Sequence, residues 1–454
     1  MVNDSILHTG IEEMAGKVFD CSCGKAHKVD IRKIRIGSGI LNELPDILSD
    51  FTGKKVFLVA DTNTYKAAGS QVESIISDRF KVNNLIFKDK HLHPDAEAIG
   101  KILLGLDDDT GLILAVGSGT INDCCRFISH KTGIPYAIVG TAPSMDGYAS
   151  VVSNILVDGI KSTINGVYPY AIIADISIMK EAPMHMLQAG LGDVIGKYTA
   201  LCDWMLSNIL NGEYYCENIA VLVEEAVRKC VENAHLLSSR ESETVKNIIE
   251  ALILTGVCIG LSGSSRPASG AEHNIAHFWE MDFIKNKFEY EGALHGNLVG
   301  CATGVTAAAY EIFAEYDIEK VLSSKQYMNF TIDKWQEDMK YCYGSISDII
   351  IKQNRDYRYG NDDRKIKNAD DMAKNWEDIR RQVFSINPGR QKTEEILKRA
   401  GAVVSPSEMH VDRELFIKSI IASKELKQRY TIFQTMEDAG VLKEVAQKLA
   451  RLYY

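Results

Sequence analysis

The feature that most constrains this chain is the alternation of apolar runs with helical segments over its first third. The runs 55–60, 112–116 and 136–139 are almost entirely apolar; a turn and a helical stretch follow each of the first two, and the third comes after the second of these helices. Strands that are apolar on both faces are typical of parallel sheets covered by helices on each side. We therefore predict an N-terminal Rossmann-like α/β domain built on a parallel sheet.

The pattern changes beyond about residue 150. A run at 154–157 followed by Asp158-Gly159 predicts a β-hairpin, and 171–174 reads as a last strand. Beyond 183 the periodicity is helical almost throughout, and only five of the 34 glycines follow residue 320. We predict an all-α C-terminal domain, with the two domains spanning 1–178 and 179–454.

Composition narrows the class of protein. With 51 basic and 61 acidic residues the 454-residue chain has a formal charge of −10, and no basic block predicts a nucleic-acid or membrane partner. The best apolar window, 251–261, is shorter than the roughly 20 residues needed to cross a bilayer. The first residues lack the apolar run of a secretory leader, and ten scattered cysteines predict reduced thiols. We expect a cytoplasmic protein that forms a homo-oligomer, most simply a dimer.

A glycine turn joins the most apolar predicted strand to a helix. It reads Gly117-Ser118-Gly119-Thr120-Ile121-Asn122-Asp123, at the place where helix N–H groups and the helix dipole hold a pyrophosphate. It lacks the third glycine of the dinucleotide fingerprint, so a plain strand-to-helix connection is equally compatible. Asp61 ends an earlier strand, where a carboxylate either binds an adenine-ribose hydroxyl or caps the next helix.

A second polar loop follows the next strand. Thr141-Ala142-Pro143-Ser144-Met145-Asp146-Gly147-Tyr148 should lie at the same sheet edge as the glycine turn, because ligands of open α/β sheets sit beyond the carboxyl ends of strands. On its own the string is also compatible with a simple turn.

Three histidines suggest a metal site. His273 and His277 are four residues apart, on one face of a predicted helix, and His295 follows. With a carboxylate such as Asp193, imidazoles form the usual catalytic site for zinc or a similar divalent ion. Any one of these histidines could instead be a core or surface residue.

Taken together, these strings resemble a known family. The order Gly-Ser-Gly-Thr-Ile-Asn-Asp, Thr-Ala-Pro-Ser-Met-Asp-Gly-Tyr, Gly-Leu-Gly-Asp-Val-Ile-Gly-Lys, Gly-Ala-Glu-His-Asn-Ile-Ala-His and Leu-His-Gly resembles sn-glycerol-1-phosphate dehydrogenases, especially the longer bacterial members. That family belongs to the superfamily of dehydroquinate synthase and iron-type alcohol dehydrogenases. The resemblance implies a dehydroquinate-synthase-like fold, in which the first domain binds a dinucleotide and the helical domain binds metal and substrate.

The resemblance also implies roles for particular residues. It makes Asp193, His273 and His295 the metal ligands. It makes Asp146 and His277 the catalytic residues. The implied substrate contacts are Asp146, Asp193 and His277. The residues it places against the dinucleotide are Asp61, Gly119, Thr120, Ile121, Asn122, Asp123, Thr141, Ala142, Pro143, Ser144 and Ser150. The implied cofactors are NAD(H) or NADP(H) and one divalent ion, zinc or nickel.

The implied reaction is the reversible reduction of dihydroxyacetone phosphate, a small phosphorylated substrate, to sn-glycerol 1-phosphate. A dehydroquinate-synthase-like lyase, a related polyol dehydrogenase and a nucleotide-binding regulatory protein are the alternatives. Asp193 is evidence against the lyase, because the resemblance implies a glutamate at the corresponding position of dehydroquinate synthases. Against the regulatory protein, the metal ligands would have no task.

Two minor motifs have open interpretations. Arg266 or Lys197 could reach a substrate phosphate, or Arg266 could be a surface residue. Cys21, Cys23 and His27 could hold a metal, but they supply only three ligands at cramped spacing, so we predict a turn in an N-terminal hairpin.

Overall fold

The computed structural model describes residues 5–89, 92–157, 160–288, 293–358 and 362–454. The chain forms two compact units. Unit 1 contains the residues up to Val194 and Cys216–Ser265, and unit 2 contains Ile195–Tyr215 and Arg266–Tyr454. The single boundary predicted at 178–179 differs from this division, because the chain enters unit 2, returns to unit 1 and leaves it again. The assignment of dinucleotide and metal binding to two domains stays a prediction.

The strands all lie in unit 1. Their bounds are β1 Val18–Asp20, β2 Ala26–Lys28, β3 Lys33–Gly37, β4 Lys55–Asp61, β5 Lys81–Phe87, β6 Thr110–Gly117, β7 Tyr136–Gly140, β8 Val152–Val157, β9 Ile160–Asn165 and β10 Ala171–Asp175. Six of them form a sheet in the order β3-β10-β7-β6-β4-β5, and every pair in it is parallel. The predicted parallel sheet is confirmed.

The α-helices occur in both units. In chain order they are α1 Leu44–Ile47, α2 Thr62–Thr64, α3 Ser70–Ile76, α4 Ala96–Gly105, α5 Gly119–Thr132, α6 Ile176–Met179, α7 Met184–Ile195, α8 Lys197–Asn211, α9 Glu217–Glu232, α10 Ser242–Ser262, α11 Ala271–Lys285, α12 His295–Ala314, α13 Ile318–Ser323, α14 Ile332–Tyr343, α15 Ser347–Arg358, α16 Asp362–Asp378, α17 Arg390–Arg399, α18 Arg413–Ala422, α19 Ile432–Asp438 and α20 Leu442–Tyr453. Unit 2 contains no strand among its described residues, so the predicted helical domain is confirmed.

The sheet explains how the two polar loops of unit 1 come together. The middle strands β4 and β6 are buried on both faces, because their side chains are apolar at consecutive positions. Strands β6 and β7 are neighbours, and the Thr141 N–H donates to the Gly117 carbonyl at 3.0 Å where both strands end. The glycine turn and the loop after β7 therefore start side by side, as expected.

The antiparallel pair β8–β9 matches the predicted hairpin. Val157 pairs with Ile160, and the predicted turn, residues 158 and 159, lies outside the described residues. The pair stands apart from the six-stranded sheet.

Helix α10 is longer than its apolar run suggested. It spans 21 residues, and by length and composition it is the one helix in the described part of the chain that could cross a membrane. Because 67% of its apolar window is buried inside the structure, it has the character of a core helix in a soluble protein.

Candidate active site

The glycine turn of unit 1 leads directly into the N-terminus of α5. No described side chain caps this terminus, although Ser118 occupies the N-cap position. A Cβ atom added to Gly119 would meet only Met145, at 3.6 Å, which is ordinary van der Waals contact. The first-turn residues Gly119 and Thr120 are partly exposed. The exposed N-terminus of this 14-residue helix is suited to binding a phosphate group.

The later residues of the turn have structural partners. Ile121 is buried against Gly117, and the Asn122 amide donates to the Gly147 carbonyl at 3.0 Å. The Asp123 carboxylate accepts from the Arg126 guanidinium at 2.7 Å, and Arg126 itself is fully buried. These contacts fix the turn against the next loop; dinucleotide contacts by Ile121, Asn122 and Asp123 stay predictions.

Asp61 forms a helix cap. Its carboxylate accepts from the Asn63 and Thr64 N–H groups at 2.7 and 2.9 Å, and the Thr64 hydroxyl accepts from the Asp61 N–H. This capping box is the structural alternative that the sequence left open. A second role toward ribose stays a prediction.

The loop after β7 is held rigidly inside unit 1. The Tyr148 hydroxyl donates to the Ala142 carbonyl at 2.6 Å, and a Cβ on Gly190 would lie 1.8 Å from the Pro143 carbonyl oxygen. Only glycine allows α7 to approach the loop this closely. Thr141 and Ser144 are buried, and the Ser150 hydroxyl bonds locally to Val152, so their proposed dinucleotide contacts remain predictions.

This loop joins two of the predicted site residues. The Asp146 N–H donates to an Asp193 carboxylate oxygen at 3.0 Å. Asp193 lies on α7 and is completely buried, whereas Asp146 is partly exposed. The backbone bond places Asp146 next to the predicted metal ligand within unit 1.

The three predicted histidines meet in unit 2. His273 and His277 lie on α11, and His295 is the first residue of α12. The His295 ring lies 5.3 Å from that of His273 and 5.0 Å from that of His277, measured between centroids. The packing of α12 on α11 therefore assembles an imidazole cluster.

Buried carboxylates orient these rings. Glu280 accepts from His295 Nδ1 at 2.8 Å with one oxygen and from His277 Nδ1 at 3.0 Å with the other. Glu272 accepts from His273 Nδ1 at 2.7 Å. A carboxylate only accepts hydrogen bonds, so each Nδ1 is the donor, and in the neutral imidazole this leaves the lone pair on Nε2. This is the imidazole form that binds a divalent metal.

Glu272 is kept ionised although it is fully buried. Burial opposes its ionisation, but the His273 bond, the Gly270 N–H and the Thr199 hydroxyl together lower the pKa of its carboxyl. The negative charge of Glu272 next to His273 favours the binding of a metal cation to that imidazole.

His277 differs from its two neighbours. Its Nε2 atom lies 3.5 Å from the Lys427 ammonium nitrogen, which can only donate. Burial, the Lys427 charge and to a lesser degree His295 hold the pKa of His277 well below its usual range, against the pull of Glu280. A neutral imidazole whose Nε2 faces an ammonium group is unsuited to metal binding, and sequence reasoning could not separate it from His273 and His295.

The two phosphate-binding candidates are both buried. Arg266 pairs with the Glu213 carboxylate at 2.8 and 2.5 Å and donates to the Tyr430 carbonyl at 2.7 Å. This is a structural ion pair, so of the two alternatives the surface residue is wrong, and the phosphate-binding role loses support. Lys197 is fully buried on α8.

Glu280, Glu272 and Lys427 are the residues that sequence reasoning missed. The only signal for the glutamates was their position on the histidine helix, one residue before His273 and three residues after His277. Lys427 is 150 residues from His277, so nothing local could have indicated it.

Comparisons with known proteins identify the family of this chain. The model of the iron-containing alcohol dehydrogenase family matches residues 35–183. A protein of Halalkalibacterium halodurans named glycerol-1-phosphate dehydrogenase (NAD(P)+) is 36% identical over 305 residues, which are 66% of this chain and 76% of that protein. A Bacillus licheniformis protein of the same name is 27% identical over 427 residues, with 93% of each chain covered. Glycerol dehydrogenase from Schizosaccharomyces pombe, 15% identical, shares the fold with a TM-score of 0.59 over 92% of this chain and 90% of its own. The chain belongs to the glycerol-1-phosphate dehydrogenase family.

Proposed function

We propose that this protein catalyses the reversible reduction of dihydroxyacetone phosphate to sn-glycerol 1-phosphate by NADH or NADPH. The observation that carries the proposal is the imidazole cluster whose Nδ1 atoms are all held by glutamates, in a chain of this family. Such carboxylate-bound histidines are typical of metal sites.

Asp193, His273 and His295 are the proposed metal ligands. The resemblance supplies this set. The chemistry of unit 2 supports its two histidines, because glutamates bind Nδ1 of His273 and of His295, whereas Nε2 of His277 faces Lys427. The buried carboxylate of Asp193 is a suitable oxygen ligand. When bound, zinc or nickel would act as a Lewis acid toward the substrate carbonyl.

The neighbouring residues would bind the substrate and move its proton. His277 is neutral, so it can share a proton with a substrate hydroxyl while Glu280 fixes its ring. Asp146, whose backbone is tied to Asp193, would orient the same hydroxyl. The Lys427 ammonium next to His277 supplies positive charge suited to an anionic phosphate.

The dinucleotide would bind at the open N-terminus of α5 and along the loop after β7. The N–H groups that begin at Gly119 would hold its pyrophosphate, and Asp61 would accept from the ribose. A carboxylate at this place repels a 2′-phosphate, so we expect NADH to be preferred over NADPH.

The test is an activity assay on the purified chain, depleted of metal and then supplied with zinc or nickel separately. We expect loss of NADH absorbance with dihydroxyacetone phosphate, and the reverse reaction with sn-glycerol 1-phosphate but not with its sn-3 enantiomer. His295→Ala should lose both metal and activity, whereas His235→Ala, which changes an exposed histidine in unit 1, should lose neither.

Two results would contradict the proposal. Faster turnover of unphosphorylated dihydroxyacetone would favour a polyol dehydrogenase, the kind of enzyme that the fold also serves in glycerol dehydrogenase. Turnover without net oxidation of NADH would favour the lyase. We further propose that the protein is cytoplasmic and a homodimer. Size-exclusion chromatography with light scattering would test the dimer.

A further inference from the structure

We propose that Cys21, Cys23, His27 and Cys216 form a second metal site, a structural zinc site within unit 1. The sequence offered only the first three of these residues, and the fold adds Cys216 as the fourth. One ligand atom from each lies within 4.8 Å of all the others. This site is independent of the proposed catalytic function.

Three of the six distances between the ligand atoms match tetrahedral zinc, and all six are within 4.8 Å. A zinc ion with Zn–S bonds of about 2.3 Å and a Zn–N bond of about 2.0 Å separates two sulfurs by about 3.8 Å and a sulfur from a nitrogen by about 3.5 Å. The Sγ atoms of Cys21 and Cys216 are 3.6 Å apart, and His27 Nε2 is 3.4 Å from Cys23 Sγ and 3.6 Å from Cys216 Sγ. A disulfide would need a sulfur separation of about 2.05 Å, so the thiols are not bonded to each other.

The surrounding groups support the same ligand atoms. His27 Nδ1 lies 2.8 Å from the Leu261 carbonyl, which only accepts, so Nδ1 carries the proton and Nε2 is the metal-binding atom. The Asn218 amide donates to Cys21 Sγ at 3.2 Å and so orients this sulfur. These are the outer contacts that orient the ligands of a structural site.

The local chain geometry is also suited to a metal. Cys21 and Cys23 lie in the turn between β1 and β2, where Gly24 adopts a φ of +84° and donates its N–H to the Cys21 carbonyl at 3.0 Å. His27 lies on β2, and Cys216 is the N-cap residue of α9. Three of the four residues are buried, and Cys23 is half-buried, so solvent and zinc can reach one side.

Three cysteines and one histidine are a ligand set typical of structural zinc sites. Thiolates favour zinc over magnesium, calcium or manganese, and four protein ligands leave no position for a substrate. The role is structural: zinc would join the N-terminal hairpin to the start of α9, 195 residues later, and stabilise unit 1 as a crosslink does.

The experiment measures zinc in the full-length protein by mass spectrometry and its ligands by X-ray absorption. We expect about two metal ions per chain in the wild type and about one in His273→Ala, whose remaining zinc should have a shell of three sulfurs and one nitrogen. Cys23→Ser should lose one equivalent and lower the melting temperature. Its matched control, Cys342→Ser, changes another half-buried cysteine and should lose none.

A cobalt substitution covers the case in which Cys23→Ser fails to fold. The His273→Ala protein loaded with cobalt should show strong sulfur-to-cobalt charge-transfer absorption from the three cysteines. The proposed catalytic ligand set contains no sulfur, so it would not contribute to this absorption. A zinc shell of nitrogen and oxygen only, no such absorption, or a Cys21–Cys216 disulfide in the freshly purified protein would overturn the proposal.

Discussion

Replacing Glu280 by glutamine should weaken metal binding although Glu280 is not itself a proposed ligand. Its two oxygens accept from His295 and His277 separately, at 2.8 and 3.0 Å. Glutamine offers one acceptor and one NH2 group, so one imidazole must face a donor. His277 cannot shift its proton to Nε2 without directing it at Lys427, and His295 cannot do so without protonating its proposed metal-binding atom.

The magnitude follows from the lost hydrogen bond. A bond to a charged group contributes about 1.5–3 kcal/mol. Loss of an outer contact to a metal-binding histidine typically lowers metal affinity by about 10–100-fold, or about 1.4–2.8 kcal/mol. The two ranges agree, so we expect the dissociation constant of the catalytic metal to rise by about 10–100-fold, with a parallel loss of activity at limiting metal.

The assay is a competition titration against a chromophoric chelator, performed in the Cys23→Ser background so that one site is observed. Asp282→Asn is the matched control, because it lies two residues away on α11 and its carboxylate contacts only Asn286 among the hydrogen bonds described. A folded Glu280→Gln protein with an unchanged dissociation constant would refute the role of Glu280 in positioning the histidines.

Three further predictions test separate parts of the molecule. Gly119→Ala should raise the dinucleotide KM about tenfold without changing the melting temperature, because the added Cβ meets only Met145 inside the chain; an unchanged KM would place the phosphates elsewhere. Asp61→Ser keeps a capping side chain but removes the charge, so the ratio of kcat/KM for NADH to that for NADPH should fall; a constant ratio would leave Asp61 as a cap only. Arg266→Ala should lower the free energy of unfolding by about 3 kcal/mol, because it leaves a partly buried carboxylate unpaired, and a large rise in substrate KM at full stability would restore its phosphate role.

The sequence determined the architecture because the relevant signals are local. Apolar runs at consecutive positions predicted the buried strands β4, β6 and β7, and the Asp-Gly step predicted the β8–β9 pair. Both depend on side chains within a few residues of each other. The order of the glycine turn, the loop after β7 and the histidine helix identified the family, which the comparisons confirm.

Tertiary structure decided how the polar side chains are used. Asp61 reads as a ribose ligand or a cap; its bonds to Asn63 and Thr64 show the cap, and the ribose role stays a prediction. Arg266 reads as a phosphate ligand or a surface residue until Glu213 is placed against it. The position of Glu213 depends on packing, whereas the Asp61 cap is local; in both cases the residue type alone allows either role.

The difference between what the sequence and the fold reveal is largest at the histidine cluster of unit 2 and at the proposed cysteine–histidine site of unit 1. His277 is separated from His273 and His295 by Lys427, 150 residues away, and the cysteine turn gains its fourth ligand from Cys216, 195 residues from Cys21. A hydrogen bond or a metal bond needs atoms within a few ångströms, and periodicity along the chain carries no information about which distant residues come that close. Helix and strand positions follow from the sequence pattern, but the protonation state and ligand set of a site follow only from the fold that brings its residues together.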